Sequence, residues 1–333
     1  MGEPLIQKEV PEDAPITETS VTLFRLGEAC NNRCPMCTNS GLPEAFFFDE
    51  AELLRRVGFV HARGLRRVVI TGGEPTIHPG FWSVVARLGE LGMSWDINTH
   101  GRRFAEPEFT ARAMREGLQR AIVSLHGHEE QVSRIMSGIS AKGHDETIRG
   151  IEQLLGQGAA VIINLVVSEW TAATLPEFVA WCAERFGAPA HGGPRYAIKF
   201  AFPSLLSKGE SWAPIRIRLS DTAASLERLP EVADEAGIEL MFESFPNCVL
   251  GESGAKNVGR LGFGETHYLD DVTGDALYSI AWLEARDAVY ARACQLCEAF
   301  EACPGVSARY VELFGTDELK PFLSGPIPWW FGA

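Results

Sequence analysis

No apolar stretch in this chain reaches the roughly 20 residues needed to cross a bilayer, so no membrane role is expected. The first segment, MGEPLIQKEVPEDAPITETS, lacks the basic start and apolar core of a secretory signal. Its acidic residues and prolines read as a flexible tail, residues 1–20, of a cytoplasmic protein. Long basic runs are missing too. Arg-Arg pairs occur at 55–56, 66–67 and 102–103 and read as solvated helix faces. The net charge is −14, which repels nucleic-acid backbones, so no nucleic-acid partner is expected and a neutral or cationic substrate is favoured. There is no internal repeat and no low-complexity tract. Cysteine is sparse, eight in 333 residues, and a disulfide scaffold belongs to shorter secreted chains. The cysteines are instead grouped at short spacing, at 30, 34, 37 and at 294, 297, 303, with Cys248 and Cys182 apart. Such grouping points to metal.

What is present is an alternation of strand-like and helix-like stretches. Strands are expected over 21–27, 66–75, 93–101, 118–127, 159–167 and 195–203. Helices are expected over 48–64, capped by Asp49, and over 81–92, 107–117, 145–158 and 175–187. Val/Ile/Leu-rich strands alternating with amphipathic helices imply an α/β fold with a parallel sheet, curved into a partial barrel. In such folds chemistry sits at the C-terminal ends of the strands. The notable segments fall there: the first cysteine loop, Gly72-Gly73-Glu74-Pro75, Thr99-His100-Gly101 and Ser124-Leu125-His126-Gly127. Past about residue 205 the alternation weakens. A helix at 220–236, a strand at 237–244, an irregular Gly-rich loop at 251–275 and a helix at 279–293 are expected, with a boundary near 208.

Cys30, Cys34 and Cys37 follow the spacing C-x3-C-x2-C. Three thiolates on one loop hold three irons of a 4Fe–4S cube and leave the fourth open to a substrate or cofactor. Zinc is the competing reading and needs a fourth ligand, but no His or further Cys lies within twenty residues.

This spacing after the first strand, with Gly72-Gly73-Glu74-Pro75 after the second, resembles the radical S-adenosylmethionine (SAM) superfamily. The likeness covers residues 21–203. It implies a partial (β/α)6 TIM-like barrel whose open iron chelates the amino and carboxylate groups of SAM. It implies that the Gly72–Pro75 strand end and Thr99 border the SAM site, with Met36 near the adenine. Ser124 and Arg134 are then expected at the SAM carboxylate or ribose, and Asn164 on the adenosine side. For Arg134 and Asn164 the alternative is a cap or a solvated surface. Where relatives often have Thr-Asn-Gly, this chain has Thr99-His100-Gly101. His100 and His126 are candidate acid–base groups, with packing at a strand end as the alternative. One electron given to the SAM sulfonium breaks a C–S bond. The resulting 5′-deoxyadenosyl radical abstracts hydrogen from an unactivated C–H. A partner such as flavodoxin or ferredoxin is implied as electron donor.

Cys294, Cys297 and Cys303 follow C-x2-C-x5-C, with Cys248 as a natural fourth ligand. This resembles the SPASM/twitch auxiliary-cluster extension, with one 4Fe–4S cluster instead of two. A four-cysteine zinc site is the alternative. The expected organisation is a tail (1–20), a radical SAM core (21–207) and a smaller C-terminal iron–sulfur domain (208–333). Cys182, on an apolar helix, reads as a buried thiol.

Only about twenty residues precede the first strand, too few for the extra peptide-binding domain of many peptide maturases. The first expectation is therefore an oxidoreductase or isomerase acting on a small polar metabolite, by dehydrogenation, epimerisation or rearrangement. The second is a maturase of a ribosomal peptide or protein side chain. The third is a non-catalytic, metal-stabilised binding protein. The aromatic run Trp329-Trp330-Phe331 reads as packing on the barrel, with lining of a substrate pocket as the alternative.

Overall fold

A computed structural model describes residues 5–37, 46–203, 217–251 and 265–323. Its elements begin with β1 (Val21–Arg25), α1 (Glu50–Ala62), β2 (Arg67–Thr71), α2 (Phe81–Glu90), β3 (Ser94–Thr99), α3 (Pro107–Arg115) and β4 (Leu118–Ser124). Then come α4 (Glu130–Ser137), α5 (Ala141–Gly156), β5 (Ala160–Val166), α6 (Leu175–Phe186), β6 (Tyr196–Ala201), α7 (Ala223–Ala236) and β7 (Glu239–Glu243). The C-terminal part holds α8 (Asn247–Leu250), β8 (Thr266–Leu269), β9 (Leu277–Ser279), α9 (Ile280–Ala285), β10 (Ala288–Val289), β11 (Val306–Ser307) and α10 (Ala308–Phe314). No described helix is long and apolar enough to cross a membrane.

The strands form an open nine-stranded sheet in the order β7-β6-β5-β4-β3-β2-β1-β8-β9. β1 to β7 are parallel throughout, β8 runs parallel to β1, and β9 returns antiparallel. This is the expected partial TIM-like barrel. Local chemistry sets its element starts. The Asp49 carboxylate accepts the Ala51 N–H at 2.9 Å, satisfying a first-turn donor of α1. Ser140 does the same for Gly143 at 3.3 Å, which starts α5 before the expected residue 145.

Two apolar layers fill the two faces of the sheet. Phe24, Ile70, Trp95, Leu154, Phe178 and Phe200 pack between strands and helices. Val21, Leu23, Val69, Ile122, Ile162, Ala197 and Met241 plug the barrel interior. Side chains two apart on a strand share a face. Two residues beyond this plug, the inner positions therefore read Arg25, Thr71, Ser124, Asn164, Lys199 and Glu243. The barrel is apolar below and polar at its C-terminal mouth.

Three features differ from expectation. The helix expected over 279–293 stops at Ala285, because Val289 and Tyr290 serve sheet pairing instead, with Val306 and Ile6. Within the stretch read as irregular, Thr266–Leu269 forms β8; one of its two buried positions is His267, which hides the apolar alternation. Residues 6–12, read as part of a flexible tail, run across the C-terminal elements. Ile6 and Tyr290 exchange two main-chain hydrogen bonds of 3.0 Å, and Ser279 N–H donates to Glu12 C=O at 2.9 Å. The expected boundary at 207–208 and the Trp329–Phe331 run lie outside the described residues.

Candidate functional site

The first cysteine loop is held from three sides. On one side it meets the turn after β2. Gly73 N–H donates to Gly27 C=O at 2.9 Å, and Glu74 N–H to Ala29 C=O at 2.8 Å, extending the β1–β2 pairing past the strands. A Cβ on Gly73 would lie 2.2 Å from the Ala29 oxygen, so only glycine permits this approach. On the second side Arg33 N–H donates to Ser137 C=O at 3.0 Å, at the C-terminal end of α4. There Gly138 adopts φ +61°, and a Cβ would sit 2.5 Å from the Arg33 oxygen. On the third side Arg102 Nη2 donates to Asn31 C=O at 3.1 Å.

Glu74 organises this region from inside. Its Oε1 accepts from Thr76 N–H (3.1 Å), Thr76 Oγ1 (2.6 Å) and Thr99 Oγ1 (2.8 Å), and its Oε2 from His100 N–H (2.8 Å). The buried carboxylate is committed to the protein and ties the turns after β2 and β3 together. His100 is likewise engaged. Its Nδ1 accepts the Arg102 N–H at 3.2 Å, so Nε2 is the donor to Asn31 Oδ1 at 2.6 Å. Burial pushes its pKa down. His126 is fully buried, its Nδ1 accepts the Val166 N–H at 3.2 Å, and burial pulls its pKa to about 4. Both imidazoles thus hold strand-end backbone through Nδ1.

The other expected residues divide. Met36 packs with Met136, Cys34, Val132, Val166 and Trp170. Ser124 and Asn164 are register partners on the inner face. Asn164 Oδ1 is buried and has no hydrogen-bond partner among the described residues. Arg134 stands on the exposed face of α4, paired with Glu130 at 3.1 Å, so the solvated-surface alternative describes its side chain. Sequence reasoning missed Lys199 and Glu243. Lys199 is 4% exposed, and its Nζ lies 2.5 Å from Glu243 Oε2 at the barrel mouth. A lysine inside the apolar run of β6 was the available signal.

The first thiols fit a three-iron donor set. Burial raises the Cys34 thiol to about 12, with Cys37 and Cys30 adding to it. Burial also raises Cys30, which accepts the Asn32 N–H at 3.3 Å. Neutral thiols crowded this way become thiolates when cationic iron arrives. The second set also converges. Cys248, Cys294, Cys297 and Cys303 line one small cavity with Tyr290 and Phe300. Main-chain N–H groups point at the sulfurs: Phe322 at Cys297 (3.3 Å), Asn247 at Cys303 (3.5 Å) and Lys320 at Cys248. Such donors stabilise thiolate charge. Burial raises Cys294 to about 11. Among the described residues no group of three or more His, Cys, Asp or Glu side chains meets at single-ion spacing. A cube spreads its thiolates over separate irons and asks for wider spacing. Cys182 is fully buried, as expected.

An open parallel barrel bearing a three-thiol loop against a Gly-Gly turn defines a class of iron–sulfur protein. Residues 24–182 match the Radical SAM superfamily. That match implies a 4Fe–4S cluster and SAM. The mycofactocin maturase MftC of Mycobacterium tuberculosis is 25% identical over 322 residues, which cover 88% of this chain and 78% of MftC. A probable GTP 3',8-cyclase of Thermococcus kodakarensis is 28% identical over 157 residues, 46% of this chain and 48% of the cyclase. The match thus spans about half of that cyclase. The solved structure of Streptococcus suis SuiB bound to precursor peptide SuiA superposes with a TM-score of 0.53 at 16% identity, covering 67% of this chain and 48% of SuiB. At that identity the likeness is one of fold.

Proposed function

We propose that this protein is a radical SAM maturase that modifies a side chain of a ribosomal peptide or protein. The catalytic part of this reading rests on one observation: the Cys30–Cys37 loop is zipped to the Gly72–Glu74 turn over the polar mouth of the barrel. The substrate part rests on the likeness to MftC, which extends well past the barrel, whereas the cyclase likeness covers 46% of the chain.

When bound, the cluster and SAM supply a 5′-deoxyadenosyl radical that takes hydrogen from a C–H bond. The chain's own residues prepare that event. Cys30, Cys34 and Cys37 would hold the SAM-binding cluster. Gly72 to Pro75 shape the SAM edge through backbone, while the Glu74 carboxylate fixes Thr99 beside it. Ser124 and Asn164 offer polar groups for the nucleoside side. Lys199 and Glu243 meet the substrate at the mouth. The apolar plug of Val69, Ile122 and Ile162 keeps water from rising through the barrel. Cys248, Cys294, Cys297 and Cys303 would hold the auxiliary cluster, with a flavodoxin or ferredoxin as electron donor. The division into 1–20, 21–207 and 208–333 belongs to this proposal, as does an oxidoreductase outcome.

A second reading, a small polar metabolite as substrate, is favoured by the buried Lys199–Glu243 pair, which suits a compact polar group. Neighbouring genes and isotope transfer separate the two. Deuterium moving from a labelled precursor peptide encoded beside this gene into 5′-deoxyadenosine supports the maturase. Transfer only from a labelled sugar or other metabolite overturns it.

A further inference from the structure

We propose that Lys8 is a positioning residue of the second cysteine site. It holds the Cys297–Cys303 turn in shape and sets a positive charge behind Cys303, which raises the reduction potential of the cluster bound there. This rests on the reading that the four cysteines hold an iron–sulfur cluster.

The placement follows from the strap. Ile6 pairs with Tyr290, and this sets Lys8 against the turn. Lys8 Nζ donates to the carbonyl of Phe300, to that of Glu301 at 3.0 Å and to that of Cys303 at 2.8 Å. An ammonium has three donors, and here three carbonyls take them. The same nitrogen lies 4.9 Å from the centre of the Tyr290 ring and 4.7 Å from that of Phe300. Tyr290 Oη donates to the Cys303 carbonyl at 2.9 Å and so joins the same knot. Both rings and Cys303 also line the four-cysteine cavity.

Three carbonyl dipoles aimed at one point repel one another unless a cation sits there. Removing the ammonium therefore opens the turn that carries Cys297 and Cys303. The charge has a second effect. Reduction adds an electron to the cluster, and a nearby cation stabilises the reduced form more than the oxidised one. Groups behind metal ligands commonly act in these two ways, through geometry and through charge.

The test uses the full chain with C30S, C34S and C37S, so that only the second site loads. Iron and sulfide are quantified after anaerobic reconstitution, and the midpoint potential is read by EPR-monitored titration. The parent is expected to hold about four irons. Lys8→Gln keeps a hydrogen-bond donor without charge and is expected to load iron with a lowered potential. Lys8→Met is expected to lose half or more of the iron, and Lys8→Arg to stay near the parent. Iron content and potential unchanged in both Lys8→Gln and Lys8→Met would overturn the proposal. A parent that binds no iron would overturn the cluster reading itself, and this proposal with it.

Discussion

Glu74 Oε1 and the hydroxyl of Thr99 lie 2.8 Å apart, joining the turn after β2 to the turn after β3 through a buried carboxylate. The same side chain accepts from Thr76 and His100, so its loss leaves several buried donors without partners. Each stranded donor costs about 1–3 kcal/mol. Glu74→Ala is expected to lower stability by about 4 kcal/mol or more in anaerobic denaturant unfolding and to cut 5′-deoxyadenosine formation by roughly tenfold or more. Glu74→Gln, which keeps the acceptor oxygen, is expected to lose less of both.

His126 makes stability sensitive to acid. Its pKa is depressed to about 4 in the fold, whereas an unfolded histidine titrates near 6.5. Below about 6.5 the unfolded chain therefore binds a proton that the folded chain refuses. The contribution of His126 is present above pH 6.5 and is lost as pH falls towards 4, up to about 3 kcal/mol in all. Unfolding midpoints measured from pH 7.5 to 5 are expected to fall. His126→Asn is expected to flatten that slope at a lower starting stability.

Lys199 and Glu243 are expected to couple. Breaking a buried ion pair from one side costs about 3–5 kcal/mol, while replacing both partners by apolar groups is often neutral. Lys199→Met alone is expected to be strongly destabilising and K199M/E243L close to the parent by denaturant unfolding. Substrate turnover is expected to fall at least tenfold in the double variant, with substrate-free SAM cleavage retained. Turnover preserved in that variant would restrict the pair to a structural role.

Arg134 is expected to be dispensable. Its exposed pair with Glu130 is of the kind worth 1 kcal/mol or less. Arg134→Ala should change stability by no more than about 0.5 kcal/mol and leave the SAM dissociation constant unchanged by equilibrium binding.

The strands and the cysteine loop were legible because they obey local rules. Runs such as Val68–Ile70 and Val161–Ile163 are apolar and β-branched, and Cys30, Cys34 and Cys37 are close together in the chain. Gly73 was legible as a motif, though its reason appears only when Ala29 is beside it. The rest depended on long-range contacts. Arg134 was placed by family pattern, but its helix turns it to solvent. Tyr290 forms an isolated β-bridge rather than part of the expected helix because Ile6, nearly three hundred residues earlier, pairs with it. Lys8 looked like tail composition until three carbonyls 292 to 295 residues away converged on it. Lys199 looked like one charge among thirty until Glu243 stood beside it inside the barrel.

The most direct measurement is SAM cleavage by the reconstituted full chain with dithionite, followed as 5′-deoxyadenosine. The parent is expected to form it, and Cys30→Ala to form none while keeping the iron of the second site. An iron-loaded parent that forms no 5′-deoxyadenosine, or a Cys30→Ala variant that still forms it, would contradict the assignment of the Cys30–Cys34–Cys37 loop as the SAM-cleaving site.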